Sequence, residues 1–328
     1  MAATAIEINL TAAIVAVERD TPLILVAARG PGSAEEAGLP SGPFDPLSHR
    51  TFEIGLRAWV IEQTALDTGY VEQLYTFGDR GRHMRLGDAG PHVVSVGYLA
   101  LTRRPEDGDG LAAAGAGFRP WYHFFPWEDW RKGRPAMLDE ELLPRLAAWA
   151  AEPAGRGAER RPGRLSRLRL AFGSEAAPWD EERVLERYEL LYEAGLVAEA
   201  ARDGRPGAAP DPARRFGEPM RFDHRRILAT AMGRLRAKLK YRPVVFEMIA
   251  EEFTLTELQR TVEAISGRHL HKGNFRRLVE AGALVEPTGA TANTTGGRPA
   301  QLFRFRREVV AERPAPGFRL GGTRFGVG

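Results

Sequence analysis

Lys272, Asn274, Arg276 and Arg277 crowd into one short span and have the chemistry to read base edges. Arginine matches the two acceptors of guanine bidentately and asparagine matches adenine, each good pair giving ~1–3 kcal/mol of discrimination. Phe275, Leu278 and Val279 interleave with them at helical spacing, so apolar residues anchor one face while polar ones reach outward. Further on, Arg298 lies in a Gly296-Gly-Arg-Pro turn and Arg304 in Phe303-Arg-Phe-Arg. Both suit contacts to phosphate or the minor groove, and Lys240 and Arg242 upstream suit phosphate positioning.

Such side chains need a scaffold. Asp223 is a candidate N-cap for a helix with an apolar stripe of Leu228, Ala231, Leu235 and Leu239, the rest covered by Arg226, Arg234, Arg236 and Lys238. Pro243 interrupts it, and Val244-Val-Phe-Glu-Met-Ile begins another helix. Thr254-Leu-Thr-Glu257 fits a capping box, Leu255, Leu258, Val262 and Ile265 face inward, and Gly267 ends that helix. Leu284-Val-Glu and Gln301-Leu-Phe-Arg then form a hairpin. Two short helices and a basic hairpin in this order read as a winged helix-turn-helix over 220–313. A helical bundle with a solvated basic face explains any single arginine, but not the order.

Charge supports that division. Residues 224–313 hold 17 Lys or Arg against 9 acidic residues, a net of +8, whereas 1–223 hold 27 against 34, a net of −7. The formal +3 of the whole chain hides a basic module on an acidic body, which points to a polyanion, double-stranded DNA, at one end only. With no cysteine, disulfides, thiol nucleophiles and Cys-ligated zinc are excluded. The seven histidines show no H-x3-H spacing, so no metal site is expected. No apolar run approaches ~20 residues and no leader pattern opens the chain, so the expectation is a cytoplasmic protein with no membrane partner.

Upstream, strands are expected over 8–17 and 23–27, then a Gly/Pro-rich loop over 30–46 and a helix over 50–66. A strand over 70–77, a loop carrying Gly78, Gly81, Gly87 and Gly90, and a strand over 93–101 complete a mixed sheet with flanking helices. Residues 103–118 read as flexible loop, 138–151 and 180–201 as helices, and 152–167 as loop. The expected domains are 1–135, a helical insertion and linker over 136–219 (the linker itself 203–219), the DNA-binding domain over 220–313, and a flexible tail over 314–328.

The helix over 50–66 carries the most specific pattern. Arg57-Ala-Trp-Val-Ile-Glu-Gln-Thr-Ala resembles the R-E-U-x-E-E-x-G-U half of the Nudix hydrolase box, with Arg57, Trp59 and Glu62 in place. Ala58 and Ile61 stand where two glutamates belong, Thr64 where a glycine does, and His49 at the upstream glutamate. Pyrophosphate hydrolysis needs Mg²⁺ held by several carboxylate oxygens, and one glutamate cannot hold it. Glu53 lies nine residues from Glu62, ~180° around a helix, and does not help. No catalytic residue, catalytic cofactor or metal is therefore expected.

The pattern resembles the Nudix-related transcriptional regulators of NAD metabolism, the NrtR family, and within it the longer alphaproteobacterial branch, NadQ. Gly55-Leu-Arg-Ala-Trp-Val-Ile-Glu-Gln-Thr, Tyr70-Val-Glu-Gln-Leu-Tyr-Thr-Phe-Gly-Asp, Val94-Ser-Val-Gly-Tyr-Leu-Ala-Leu, Phe222-Asp-His, Asn274-Phe-Arg-Arg and Gly297-Arg-Pro-Ala carry the likeness, over roughly 8–101 and 220–310. It implies an α+β protein, with an N-terminal Nudix-like mixed α/β/α sandwich followed by the winged helix-turn-helix. It further implies a homodimer on a palindromic operator, repressing NAD synthesis or salvage genes in response to NAD, ADP-ribose or another adenine nucleotide. The role of 103–219 stays open.

Candidate effector contacts follow from chemistry. Arg57, Arg80, Arg82 and Arg85, with Arg50 secondary, match pyrophosphate oxygens. Glu62 and Asp79 can accept from ribose, and Tyr75, Phe77 or Trp127 can stack on adenine, each also being an ordinary core aromatic. Two other functions compete: an active nucleotide pyrophosphohydrolase with a nucleic-acid-binding appendage, and a pseudo-enzyme adaptor whose winged helix binds protein.

Overall fold

The computed structural model describes residues 5–27, 37–79, 90–105, 109–152, 163–174, 178–205, 216–292, 299–312 and 317–318. Two long apolar stretches form a hairpin, β1 (Ile6–Glu18) and β2 (Thr21–Ala27), with Val15 opposite Ile24. A short β3 (Ser41–Pro43) pairs with β1, inside the segment expected to be loop. Next come α1 (Phe52–Thr64), β4 (Tyr70–Phe77) and β5 (His92–Leu101), β5 running parallel to β1 with Leu10 beside Val96. The segment 103–118 is not simply loop: it holds α2 (Asp109–Ala113) and the start of β6 (Ala116–Pro120), which pairs with β2. Its Gly/Ala-rich sequence has little strand propensity, and the exposed edge of β2 supplies the ladder. The sheet order is β4-β5-β1-β2-β6.

Alternation along β1 sets the layers. Leu10, Ala12 and Ile14 pack with Leu56 and Val60 of α1 on one face. Ala13, Val15 and Val17 join the larger core on the other. That core continues through 3₁₀ turns at Trp121–His123 and Pro126–Glu128, then α3 (Leu143–Ala151), α4 (Arg164–Phe172), α5 (Val184–Glu193) and α6 (Ala198–Arg202). The single helix expected over 180–201 breaks at Gly195, whose φ is +71°. Then α7 (His224–Leu239) lies across the sheet as its second outer layer, with Gly97 of β5 leaving room for Ile227. A mixed α/β/α sandwich results. The expected boundary at 220 thus falls before a helix that the two domains share.

After α7, Val244–Glu247 makes one 3₁₀ turn where a helix was expected. β7 (Glu252–Phe253), α8 (Leu255–Ser266), α9 (Lys272–Gly282), β8 (Val285–Ala292), β9 (Ala300–Phe305) and α10 (Val309–Glu312) follow among the described residues, with a second sheet of order β7-β9-β8. This is a winged helix. Within the stretch 314–328, expected to be a flexible tail, residues 317–318 are described, and Phe318 is buried, stacks on Phe275 at 5.8 Å and donates its backbone N–H to the Leu239 carbonyl. An aromatic of that size gains too much from burial to stay in water.

Charged side chains sit inside this packing. Arg236, expected to cover the outside of its helix, is 1% exposed. It bonds Glu128 at 2.7 Å, and Arg187 of α5 bonds the other oxygen of that carboxylate at 2.6 Å. Arg225 likewise meets Glu199 of α6 at 3.2 Å and stacks over Phe125 and Trp127. Desolvating such groups is tolerable only when every charge is paired and hydrogen-bonded. Burial pushes the Glu128 carboxyl up, but the two guanidinium groups more than reverse this and hold it below the usual carboxylate range.

Candidate DNA-reading face and effector region

The capping box forms: Glu257 N–H donates to Thr254 Oγ1 at 3.2 Å, and Thr254 N–H to Glu257 Oε2 at 2.7 Å. It starts α8 sharply, and Gly267, at φ +70°, ends it. A Cβ on Gly267 would lie 2.5 Å from the Glu128 carbonyl oxygen, so only glycine permits this close approach to the body of the protein. In α9, Phe275 and Val279 are buried and Leu278 half-buried, whereas Lys272, Asn274, Arg276 and Arg277 are all exposed. The Arg277 guanidinium donates to the Asn274 side-chain oxygen, which orients the amide. Here the helical spacing and the structure agree residue by residue.

The flanking candidates divide. Arg242 is exposed. Arg304 is exposed on the wing and paired with Glu286 across the strands at 2.6 Å. Lys240, expected to meet phosphate, is instead drawn inward between Glu181 at 3.1 Å and Glu182. Two carboxylates from the 103–219 segment, invisible to local sequence reasoning, take that cation. Arg298 lies outside the described residues.

On the effector side, α1 is pinned at several points. Thr51 caps it, Trp59 Nε1 donates to the Pro43 carbonyl at 2.9 Å, and Gln63 bonds Ser41 both ways. Arg57 is committed to this frame rather than aimed at a phosphate. It pairs with Glu53 at 2.9 Å and donates to the carbonyls of Thr68 and Gly69, fastening α1 to the start of β4. Glu62 and Arg50 are exposed. Trp127 cannot stack on a ligand: it is 0% exposed, edge-on to Phe125 with the Arg225 guanidinium above it. Phe77 is also buried, under Arg226. Tyr75 is the available aromatic, 61% exposed at the end of β4. Asp79 pairs with Arg226 of α7, which also holds Glu189 at 2.6 Å. Arg80, Arg82 and Arg85 lie outside the described residues.

The donor set for Mg²⁺ does not fit. Ala58 and Ile61 stand exposed where carboxylates would be needed, and Glu53 is neutralised by Arg57. Among the described residues no three His, Asp or Glu converge on a metal-sized site.

Sequence reasoning missed the groups that join the two halves. Arg236 Nε donates to the Ile265 carbonyl of α8 at 3.0 Å, Tyr122 O–H to the Ala264 carbonyl at 2.8 Å, and Trp130 N–H to the Gly267 carbonyl at 2.8 Å. Asp223 stands at the start of α7 without capping it through its side chain, which faces Arg226 at 3.5 Å. The only signal was a carboxylate set among aromatics, Trp127-Glu-Asp-Trp.

An α/β/α sandwich joined through a shared helix to a winged helix defines the class of protein by its fold. Residues 245–305 match the NrtR DNA-binding winged helix domain. A stretch of 84 residues is 42% identical to the ADPR responsive transcriptional repressor NtrR of Acinetobacter baylyi, covering 26% of this chain and 33% of that protein. The chain thus spans about a third of that relative. The crystal structure of Shewanella oneidensis NrtR complexed with a 27mer DNA has the same fold over 93% of this chain and 95% of its own, with a TM-score of 0.55 and 20% identity. A second crystal structure of Shewanella oneidensis NrtR gives a TM-score of 0.52 at 20% identity, over 93% of this chain and 96% of its own. The expected fold class therefore holds. Among the described residues no helix is long and apolar enough to cross a membrane.

Proposed function

We propose that this chain is a ligand-responsive transcriptional repressor of NAD synthesis or salvage genes, acting in the cytoplasm as a homodimer on a palindromic operator. The observation that carries this is the exposed set Lys272, Asn274, Arg276 and Arg277, held by buried Phe275 and Val279 within the residues that match the NrtR DNA-binding domain. A palindrome needs two copies of such a helix about one helical turn, ~34 Å, apart. The relative's description as ADPR responsive favours ADP-ribose over NAD or another adenine nucleotide as the effector.

The Nudix-like domain serves as a sensor and not as a hydrolase, because α1 lacks the carboxylates that would hold Mg²⁺. Its coupling to DNA runs through α7. Asp79 and Glu72 of the β4 region grip Arg226 near the start of α7 and Lys238 near its end, and Arg236 between them bonds α8. Tyr75 and Asp79 lead into the Gly78–Gly90 loop, whose Arg80, Arg82 and Arg85 would meet the pyrophosphate. A ligand that displaces Asp79 or the end of β4 therefore biases α7 and the domain it carries.

Gel shifts on the promoters of NAD-synthesis genes, titrated with NAD, ADP-ribose, ATP and nicotinamide mononucleotide, test the proposal. Binding to such a promoter that one nucleotide alters is expected. Binding that no nucleotide alters would remove the sensor. Mg²⁺-dependent release of AMP from ADP-ribose, abolished in Glu62→Gln, would make the domain an enzyme.

A further inference from the structure

The connection that leads into α9 has no ladder of its own, and two side chains of α8 hold it instead. Gly267 ends α8 and α9 begins at Lys272, so only 267–271 lie between them. His271 stands at the N-cap of α9 without a side-chain cap, and no acidic residue lies in the first helical turn. The start of α9 is therefore not fixed locally.

Gln259 and Glu263 sit one turn apart on the same side of α8. Glu263 Oε1 accepts from the Leu270 N–H at 2.7 Å and from Gln259 Nε2 at 2.9 Å, and His269 Nδ1 lies 3.2 Å from it. Gln259 Nε2 also donates to the Leu270 carbonyl at 2.7 Å. One pair of side chains thus satisfies both main-chain groups of Leu270, in place of the partners a helix or strand would supply. The Glu263 side chain is only 14% exposed, so its bonds compete little with water.

This grip differs in kind from the anchoring by Phe275 and Val279. Apolar contact is non-directional, whereas a hydrogen bond weakens steeply outside its geometry. We propose that Gln259 and Glu263 are positioning residues for base reading: they fix Leu270, and through it where Lys272, Asn274, Arg276 and Arg277 stand against base edges. The inference rests on the DNA-reading function proposed above and extends it to two residues outside α9. The acceptor at 263 matters here, and its charge does not. An amide oxygen at that place can accept the same two bonds, so Glu263→Gln keeps the grip. A carboxylate at 259 cannot donate, so Gln259→Glu sets like oxygens against Glu263 and the Leu270 carbonyl.

The test compares discrimination within each variant. Full-length wild type first selects a preferred duplex from a randomised pool. Wild type, Glu263→Gln, Glu263→Ala and Gln259→Glu are then titrated against that duplex and against a random-sequence duplex of equal length, between about 50 and 200 mM salt. Glu263→Gln should keep the ratio of the two affinities near the wild-type value. Glu263→Ala and Gln259→Glu should lower it by about 5- to 150-fold, the worth of one misread base pair. The salt slope on the random duplex should stay the same in all four, because none of the changes removes a phosphate contact. A folded Glu263→Ala that keeps the wild-type ratio overturns the inference. So does Glu263→Gln falling as far as Glu263→Ala, since the residue would then act through its charge. A fall in the salt slope overturns it as well, by making the pair part of the phosphate contacts. If thermal melting shows Glu263→Ala unfolded, Gln259→Glu against Glu263→Gln decides by the same ratio. Failure of the wild type to enrich any sequence overturns the DNA-reading function itself.

Discussion

Arg276 projects from the first turns of α9 with its guanidinium free of the domain core, and base preference should turn on it. Arg276→Ala is expected to remove ~1–3 kcal/mol of discrimination, roughly 5- to 150-fold, at one base-pair position while leaving non-specific binding nearly intact. Competition with singly substituted operators measures this, and a uniform loss against all sequences would make Arg276 a phosphate contact instead. Glu128 is the opposite kind of residue, buried between Arg187 and Arg236. Glu128→Gln leaves Arg187 and Arg236 without their counter-charge and should cost about 3–5 kcal/mol in urea unfolding. Its carboxyl is held low in the folded state, so its contribution is complete above the unfolded pKa of ~4.3 and fades as pH falls through the folded value. Wild-type stability should therefore drop on strong acidification by an increment that Glu128→Gln lacks. The exposure of Lys272, Asn274, Arg276 and Arg277 was legible from sequence because it follows one helix's periodicity. Glu128 was not, because its partners lie 59 and 108 residues away.

At the scale of elements, α7 is the piece whose character changed most. Its apolar stripe was evident, but of Arg226, Arg234, Arg236 and Lys238, expected on a basic outer face, only Arg234 is exposed: Arg226 is fastened to Glu189, Arg236 to Glu128 and Lys238 to Glu72, and Arg225 adds a fourth fastening to Glu199. Arg226→Gln cuts the link to Asp79 without touching α9. It should leave DNA affinity in the absence of effector within a few-fold of wild type, while the shift produced by ADP-ribose shrinks toward none. Gel shifts with and without the nucleotide read both quantities, and an intact response would place the coupling elsewhere. β6 makes the same point for strands. A Gly/Ala-rich stretch became one because β2 offered an open edge, and propensity alone had no means of finding it.

Across the whole molecule, residues 317–318 return to α9. Phe318 stacks on Phe275 and lies 6.3 Å from Phe246, closing the space between α7, α9 and the 3₁₀ turn. Phe318→Ala should cost about 3–5 kcal/mol by opening a cavity there, and should weaken DNA binding because α9 loses its support. Unchanged unfolding and unchanged affinity would show the contact to be dispensable. The sequence by itself determined the local devices: the capping box, the alternation of β1, the anchor-and-reach pattern of α9, the degenerate box on α1 and the segregation of charge. Each depends on residues within a turn or two, where spacing dictates direction. Only the tertiary structure decided that Trp127 is core, that Arg57 is a fastening, that Lys240 is spent on Glu181 and Glu182, and that 103–219 grips both modules. The physical reason is the same in each case. A charge or an aromatic takes its role from whatever meets it in a desolvated space, and those partners come from distant parts of the chain.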